Sequence, residues 1–206
     1  MGGELNTVII DYGMGNLRSV EKAIAAVGGR PVISKDPNII RRSERLILPG
    51  VGAFGDAMEN LERSGLDQAI REAVAAGTPL LGLCLGLQLL FSESEEFGRH
   101  RGLDLIPGKV KLFRTPGLRV PHVGWNQIES ARGDRLLKGI PDGSYFYFVH
   151  SYFVAPDRED DVLCRTDYGG LFCSIACRDR VWGAQFHPEK SQEAGRHLLR
   201  NYLAMR

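Results

Sequence analysis

Gly82-Leu83-Cys84-Leu85-Gly86 lies where an apolar run passes into a stretch that reads as a helix. A cysteine set between two glycines in this way has the form of a nucleophile elbow. The glycines tolerate a cramped strand–turn–helix bend, and the helix N-terminus favours a thiolate. The same five residues also describe a small buried cysteine in a tight turn. A thiol nucleophile needs a base within hydrogen-bond reach and a third group to orient that base. Gln185-Phe186-His187-Pro188-Glu189 offers both: an apolar strand ends in an imidazole, a proline stops the ladder, and a carboxylate follows. Taken alone, this stretch reads better as a solvent-facing histidine and a helix-capping glutamate; beside the elbow it reads as base and orienter. A third segment, Leu48-Pro49-Gly50-Val51-Gly52-Ala53-Phe54-Gly55, has glycines that let backbone N–H groups turn toward an oxygen, as an oxyanion hole requires. The Leu85 N–H would be a second donor. Alone, the segment reads equally as a strand-to-helix turn with an extra glycine. It lacks the GK[ST] ending of a phosphate loop, and DYGMGN at 11–16 lacks the GxGxxG dinucleotide fingerprint. Neither a nucleotide cofactor nor a metal is expected.

Groups so far apart in the chain must be gathered by a regular scaffold. Short apolar runs alternate with amphipathic stretches through the first half, the pattern of parallel strands joined by helices. Strands are predicted at Thr7–Asp11, Pro31–Ser34, Arg45–Leu48 and Pro79–Leu83. Helices are predicted over Leu17–Val27, after the Asp36-Pro37 cap, over Asp56–Ala76 and from about Leu85. From Lys109 the texture turns β-rich, with strands at Lys109–Phe113, Tyr145–Val154, Val162–Arg165, Leu171–Arg178 and Val181–Phe186, and a closing helix at Ser191–Met205. CRDRVWG reads as a hairpin, so antiparallel strands should extend the parallel sheet. The expectation is one α/β domain over residues 1–206, a central mostly parallel sheet with an antiparallel extension and helices on both faces. His187 would then stand at the sheet edge where open α/β sheets bind ligands.

Composition sets the outer limits. Glycine is in excess, 25 of 206 residues or about 12% where roughly 7% is usual, with no fixed period. Lys and Arg total 26 against 25 Asp and Glu, so no basic surplus points to nucleic acid or an anionic membrane. Cys84, Cys164, Cys173 and Cys177 form no CxxC pair, and MGGELN has neither the features of a signal peptide nor, with Asn6, a myristoylation signal. The apolar run at Pro79–Phe91 is too short to span a bilayer. A soluble, cytoplasmic protein is expected.

Cys in G-x-C-x-G with His and Glu in H-P-E resembles the class I glutamine amidotransferases. DYGMGNLRSV, LPGVGAFGDAM, GLCLGLQLLF, PHVGWN, FVHSYFV and QFHPEKS, in this order over nearly the whole chain, narrow the resemblance to the glutaminase subunits of imidazole glycerol phosphate synthases. The resemblance implies a flavodoxin-like fold, a catalytic Cys84–His187–Glu189 triad, oxyanion donors at Val51, Gly52 and Leu85, and L-glutamine held by Gln88, Ser151 and Tyr152. It implies no cofactor. It also implies a heterodimer with a (β/α)₈-barrel cyclase subunit, contacted through His122, Trp125 and Asn126, to which ammonia is passed. Cys164, Cys173 and Cys177 have no implied role. Two alternatives stay open: the glutaminase subunit of pyridoxal phosphate synthase, with the same triad and a barrel partner, and a catalytically silent module with a merely buried cysteine.

Overall fold

The computed structural model describes residues 7–114 and 117–205; the amino-terminal stretch read above for a leader or acyl signal lies outside them. The first strand, β1 (Thr7–Ile10), is buried on both faces, which its β-branched sequence TVII suits. Helix α1 (Leu17–Ala26) starts at Asn16, whose side chain accepts from the Ser19 N–H, and buries Val20 and Ile24. Strand β2 (Pro31–Ser34) follows, and then α2 (Pro37–Arg41), capped by Asp36 with proline at its first turn. Strand β3 (Leu46–Gly50) leads through a loop into α3 (Phe54–Ser64) and α4 (Leu66–Ala75). The sequence predicts one helix here. Gly65, at φ +68°, breaks it in two, because a left-handed residue cannot continue a right-handed helix. Strand β4 (Leu80–Cys84) then runs directly into α5 (Leu85–Leu89).

The second half supplies β5 (Phe91–Ser94), β6 (His100–Arg101), β7 (Ile106–Leu112), β8 (His122–Gln127), β9 (Glu129–Ser130) and β10 (Tyr145–His150). These are followed by β11 (Tyr152–Pro156), β12 (Val162–Asp167), β13 (Leu171–Arg178), β14 (Val181–Ala184) and α6 (Gln192–Leu203). Strands β2-β1-β3-β4-β14 are parallel neighbours, and β13, β11 and β7 continue the sheet antiparallel. The β13–β14 hairpin matches the expectation. The predicted strand Tyr145–Val154 is instead split at Ser151: β10 pairs with β8 in a separate two-stranded ribbon, and β11 joins the main sheet.

Alternation along β1 shows how the sheet divides the core. Val8 and Ile10 face α2 to α5, packing with Ile40, Leu61 and Ile70, while Ile9 faces α1 and α6, packing with Ile24, Leu198 and Tyr202. Among the described residues no helix is long and apolar enough to cross a membrane. Tyr202 is fully buried, and its one hydroxyl proton is shared between the carbonyls of Leu46 at 2.6 Å and Pro79 at 3.0 Å, tying α6 to the starts of β3 and β4. Tyr202→Phe leaves those bonds unmade. It should cost about 1–2 kcal/mol, lowering Tm in a thermal melt by about 2–8 °C.

Candidate active site

The parallel order places the carboxyl ends of β3, β4 and β14 side by side, and each delivers one part of the site. Cys84 ends β4 at φ +56°, ψ −112°, a conformation L-residues seldom adopt. Strain at this level persists only where the surroundings enforce it. Here backbone crowding does so. A Cβ at Gly82 would lie 2.6 Å from the Gly86 carbonyl oxygen, and a Cβ at Gly86 would overlap the Leu48 carbonyl of β3. At Gly50 it would meet the Tyr12 hydroxyl at 2.6 Å.

His187 follows β14. Its backbone N–H donates to the Tyr147 carbonyl at 2.9 Å, and its own carbonyl accepts from the Ser191 hydroxyl at 2.6 Å. Pro188 begins a single 3₁₀ turn that swings Glu189 back, and Oε1 of Glu189 lies 2.8 Å from His187 Nδ1, with both side chains buried. The remaining ring nitrogen, Nε2, is also buried and lies within interaction range of the Cys84 sulfur without closing a hydrogen bond to it. Burial alone would depress this imidazole. Interaction with Cys84 and with the Glu189 carboxylate overrides burial and lifts its pKa to about 9. Burial pushes the thiols of Cys164 and Cys173 far up and that of Cys177 to about 11, so these three stay protonated.

A cavity of about 370 Å³ opens over the sulfur. Of the predicted residues, Val51, Gly52, Leu85, Gln88, Ser151 and Tyr152 line it together with Cys84 and His187, and Glu189 stands behind the imidazole. Glu96 and Lys190 add one charge of each sign. Three residues that sequence reasoning passes over reach the surroundings of the sulfur. Gln185, fully buried, directs its Nε2 at the sulfur at 3.9 Å. His150 borders the cavity. Tyr12 brings a buried hydroxyl without a partner against Gly50; burial, aided by the nearby Cys84, holds its pKa above the ordinary phenol range.

The three residues expected at a partner contact separate. Trp125 is 45% exposed, with Val123 and Tyr145 also open, on the outer face of the β8–β10 ribbon. Asn126 is half-buried and bonded to the Asp167 carbonyl. His122 does not lie on that face: it is 3% exposed and stacked between Phe148 and Tyr168, because alternation along β8 turns it inward. No group of three or more His, Cys, Asp or Glu suited to a metal ion occurs among the described residues.

A buried thiol, an imidazole oriented by a carboxylate and a glycine loop at one sheet edge are the parts needed for acyl transfer from an amide. The model of the family "Glutamine amidotransferase class-I" matches residues 8–205. The chain belongs to that family. Within it, this amidotransferase is 49% identical over 203 residues to the imidazole glycerol phosphate synthase subunit HisH of Syntrophotalea carbinolica, covering 95% of this chain and 98% of that protein. It is 51% identical to the HisH subunit of Aquifex aeolicus, with 96% of each chain covered. A crystal structure of a glutamine amidotransferase superposes with a TM-score of 0.76 at 19% identity, over 97% of this chain and 98% of that one. PurLQS from Thermotoga maritima gives 0.73 at 16%, over 96% of each. These two likenesses concern the fold; the HisH proteins place the amidotransferase in its subfamily.

The carboxylate favours the imidazolium, so removing it must lower the imidazole's pKa. In Glu189→Gln an NMR titration of His187 should show a midpoint clearly below about 9; an unchanged midpoint would mean that Glu189 does not set the charge of the ring.

Proposed function

We propose that this chain is the glutaminase subunit of an imidazole glycerol phosphate synthase, with Cys84 as nucleophile, His187 as acid and base, and Glu189 as the group that orients the imidazole. The observation that carries this reading is the meeting of the three at adjacent strand ends beside one cavity. The Cys84 thiolate attacks the side-chain amide carbon of L-glutamine. The resulting oxyanion is held by backbone donors at Leu85 and in Val51-Gly52. His187 gives its proton to the departing nitrogen, leaving a γ-glutamyl thioester and ammonia. It then takes a proton from water, whose hydroxide adds to the thioester and releases glutamate and the thiolate. Glu189 stabilises the imidazolium without itself taking the proton. Gln88, Ser151 and Tyr152 hold the substrate, and the opposite charges of Glu96 and Lys190 suit a zwitterionic amino acid.

Ammonia released into water is protonated and lost as a nucleophile, so it needs a protected acceptor. The partner in this reading is a (β/α)₈-barrel cyclase, which joins the nitrogen to its ribonucleotide substrate and yields imidazole glycerol phosphate and an aminoimidazole carboxamide ribotide in the cytoplasm. The docking face is the outer side of the β8–β10 ribbon with Val123, Trp125 and Tyr145. It adjoins the cavity, since the Val149 carbonyl of β10 accepts from the Cys84 thiol at 3.8 Å. Neither nucleic acid nor membrane enters this function.

Cys84→Ala should abolish glutamine-dependent synthesis by the complex while ammonia-dependent synthesis survives; retention of the glutamine-dependent reaction would remove Cys84 from the mechanism. Glutamate release by the isolated chain should be far slower than with the cyclase and its acceptor, because hydrolysis without an acceptor wastes glutamine. Equal rates would mean that the oxyanion donors are already in place in the free subunit. Trp125→Ala should weaken association by about 1–3 kcal/mol, read by calorimetric titration against the cyclase.

A further inference from the structure

A single run of hydrogen bonds leads from β8 to the nucleophile, and its ends fix every donor along it. Asn126 Oδ1 accepts the Gln127 N–H at 2.8 Å, so Nδ2 is the donor; it gives to the Asp167 carbonyl at 2.8 Å and approaches His122 Nε2 at 3.3 Å. That nitrogen must therefore carry the lone pair, and the His122 proton sits on Nδ1, 3.1 Å from His150 Nε2. His150 in turn carries its proton on Nδ1, which donates to the Tyr152 carbonyl at 2.8 Å. Both rings are neutral and each has one tautomer. Burial agrees, holding their pKa values down at about 4 for His122 and about 3 for His150.

Beyond the pair, the Tyr152 carbonyl accepts a second donor, Gln88 Nε2 at 3.0 Å. The same amide nitrogen gives to Gln185 Oε1 at 3.2 Å, which leaves the Gln185 Nε2 directed at Cys84 Sγ. Gln88 thus commits its amide N–H groups to the protein, and Oε1 is the polar atom left for a ligand. An amide oxygen is an acceptor and suits an ammonium group. The anchor for this arrangement lies at the bend where β10 leaves the ribbon and β11 enters the main sheet. His150 closes that bend by bonding across two residues to Tyr152, while the Ser151 carbonyl accepts the Phe113 N–H at 3.0 Å.

We propose that His122 and His150 are positioning residues for glutamine: as a neutral, single-tautomer pair they fix the Tyr152 carbonyl, and through it hold the Gln88 amide with Oε1 facing the substrate's ammonium group. This rests on the reading of the Cys84 cavity as the glutamine site. His150 borders the cavity, and the pair acts on glutamine through the Tyr152 carbonyl and Gln88. It acts by denying the Gln88 amide its flipped orientation, which would present N–H groups to an ammonium.

The test uses the complex with the cyclase subunit and the variants His150→Phe and His122→Phe, which keep a ring and remove its nitrogens. The KM for glutamine should rise about tenfold, as loss of one neutral hydrogen bond predicts, with kcat within about threefold and ammonia-dependent synthesis unchanged. His150→Asn, whose amide can still donate to the Tyr152 carbonyl, should bring KM back to within about threefold of the original. An unchanged KM in the phenylalanine variants overturns the proposal. So does a parallel fall of kcat and ammonia-dependent synthesis in all three variants, which is the mark of a merely structural role. If one phenylalanine variant does not fold, the other decides by the same criteria. Glutamine hydrolysis by Cys84→Ala is measured alongside: its survival would refute the underlying reading of the site, whatever the histidine variants do.

Discussion

The backbones of β3, β4 and α5 approach one another so closely that residues 82 and 86 have no room for a side-chain carbon. The rest of the site depends on this contact. It lets α5 turn back immediately over the sheet, which forces Cys84 into a left-handed conformation and lifts its thiol to the sheet edge. It sets the register of β3 beside β4, with Leu48 opposite Gly82 and Gly50 opposite Cys84, so the glycine loop leaves its strand at the level of the sulfur. On the other side β14 runs parallel to β4 with Ala184 opposite Leu83, and the three residues that follow carry the chain to His187. The Cys84 thiol, the His187 imidazole and the glycine loop are thus gathered at one sheet edge. The helices supply apolar cover on both faces of the sheet and leave its edge free.

Electrostatics then act on what packing has placed. An imidazole this buried would ordinarily be neutral, and a buried lone carboxylate would be costly. Together they stabilise each other, and the sulfur adds a third partner, so the ring favours its protonated form in a place where burial opposes it. The buried pair His122 and His150 shows the opposite outcome from the same dehydration. His122 and His150 face each other, aromatic rings and an amide, with no carboxylate among the described residues in contact, and stay neutral. The two imidazole environments, at His187 and at the His122–His150 pair, are set apart by their neighbours: a carboxylate and the sulfur beside the one, aromatic rings and an amide beside the other.

Much of this was legible in the sequence because the governing interactions are local. TVII, the run at Leu46–Leu48 and the run at Leu80–Leu83 read as buried parallel strands, and the glycines around Cys84 mark the elbow that the close approach requires. Gly65 does not announce a helix break, since a glycine inside an amphipathic pattern does not by itself declare a positive φ. The split at Ser151 was hidden for a related reason: YFYFVHSYFV alternates in one phase up to His150, and only its pairing partners show that two sheets share it. Gln185 and His150 were missed as site residues because each sits in a strand that reads as core. Their signal is nonetheless present. A polar side chain at an otherwise apolar strand position must find a partner, and in VWGAQF and YFYFVH that rule points to Gln185 and His150.

The β8–β10 ribbon joins these threads. Its inner side chains, Phe146, Phe148, His122 and His150, are core; its outer side presents Val123 and Trp125 across from Val149 and Tyr147. Because the two strands exchange hydrogen bonds along their full length, an outer side chain cannot shift far without moving the inward-facing residue next to it. Trp125 adjoins Asn126, where the hydrogen-bond run to Gln88 begins, and Tyr147 accepts the His187 N–H through its carbonyl. Hence the exposed apolar side chains of the ribbon sit on the same backbone that bonds to His187 and, through Asn126 and the two histidines, to Tyr152 and Gln88. Burying that surface under another protein would act on strands already bonded to the site. The exposed and buried halves of the ribbon therefore share one hydrogen-bonded backbone, which runs from its outer face to the cavity rim at Val149 and His150.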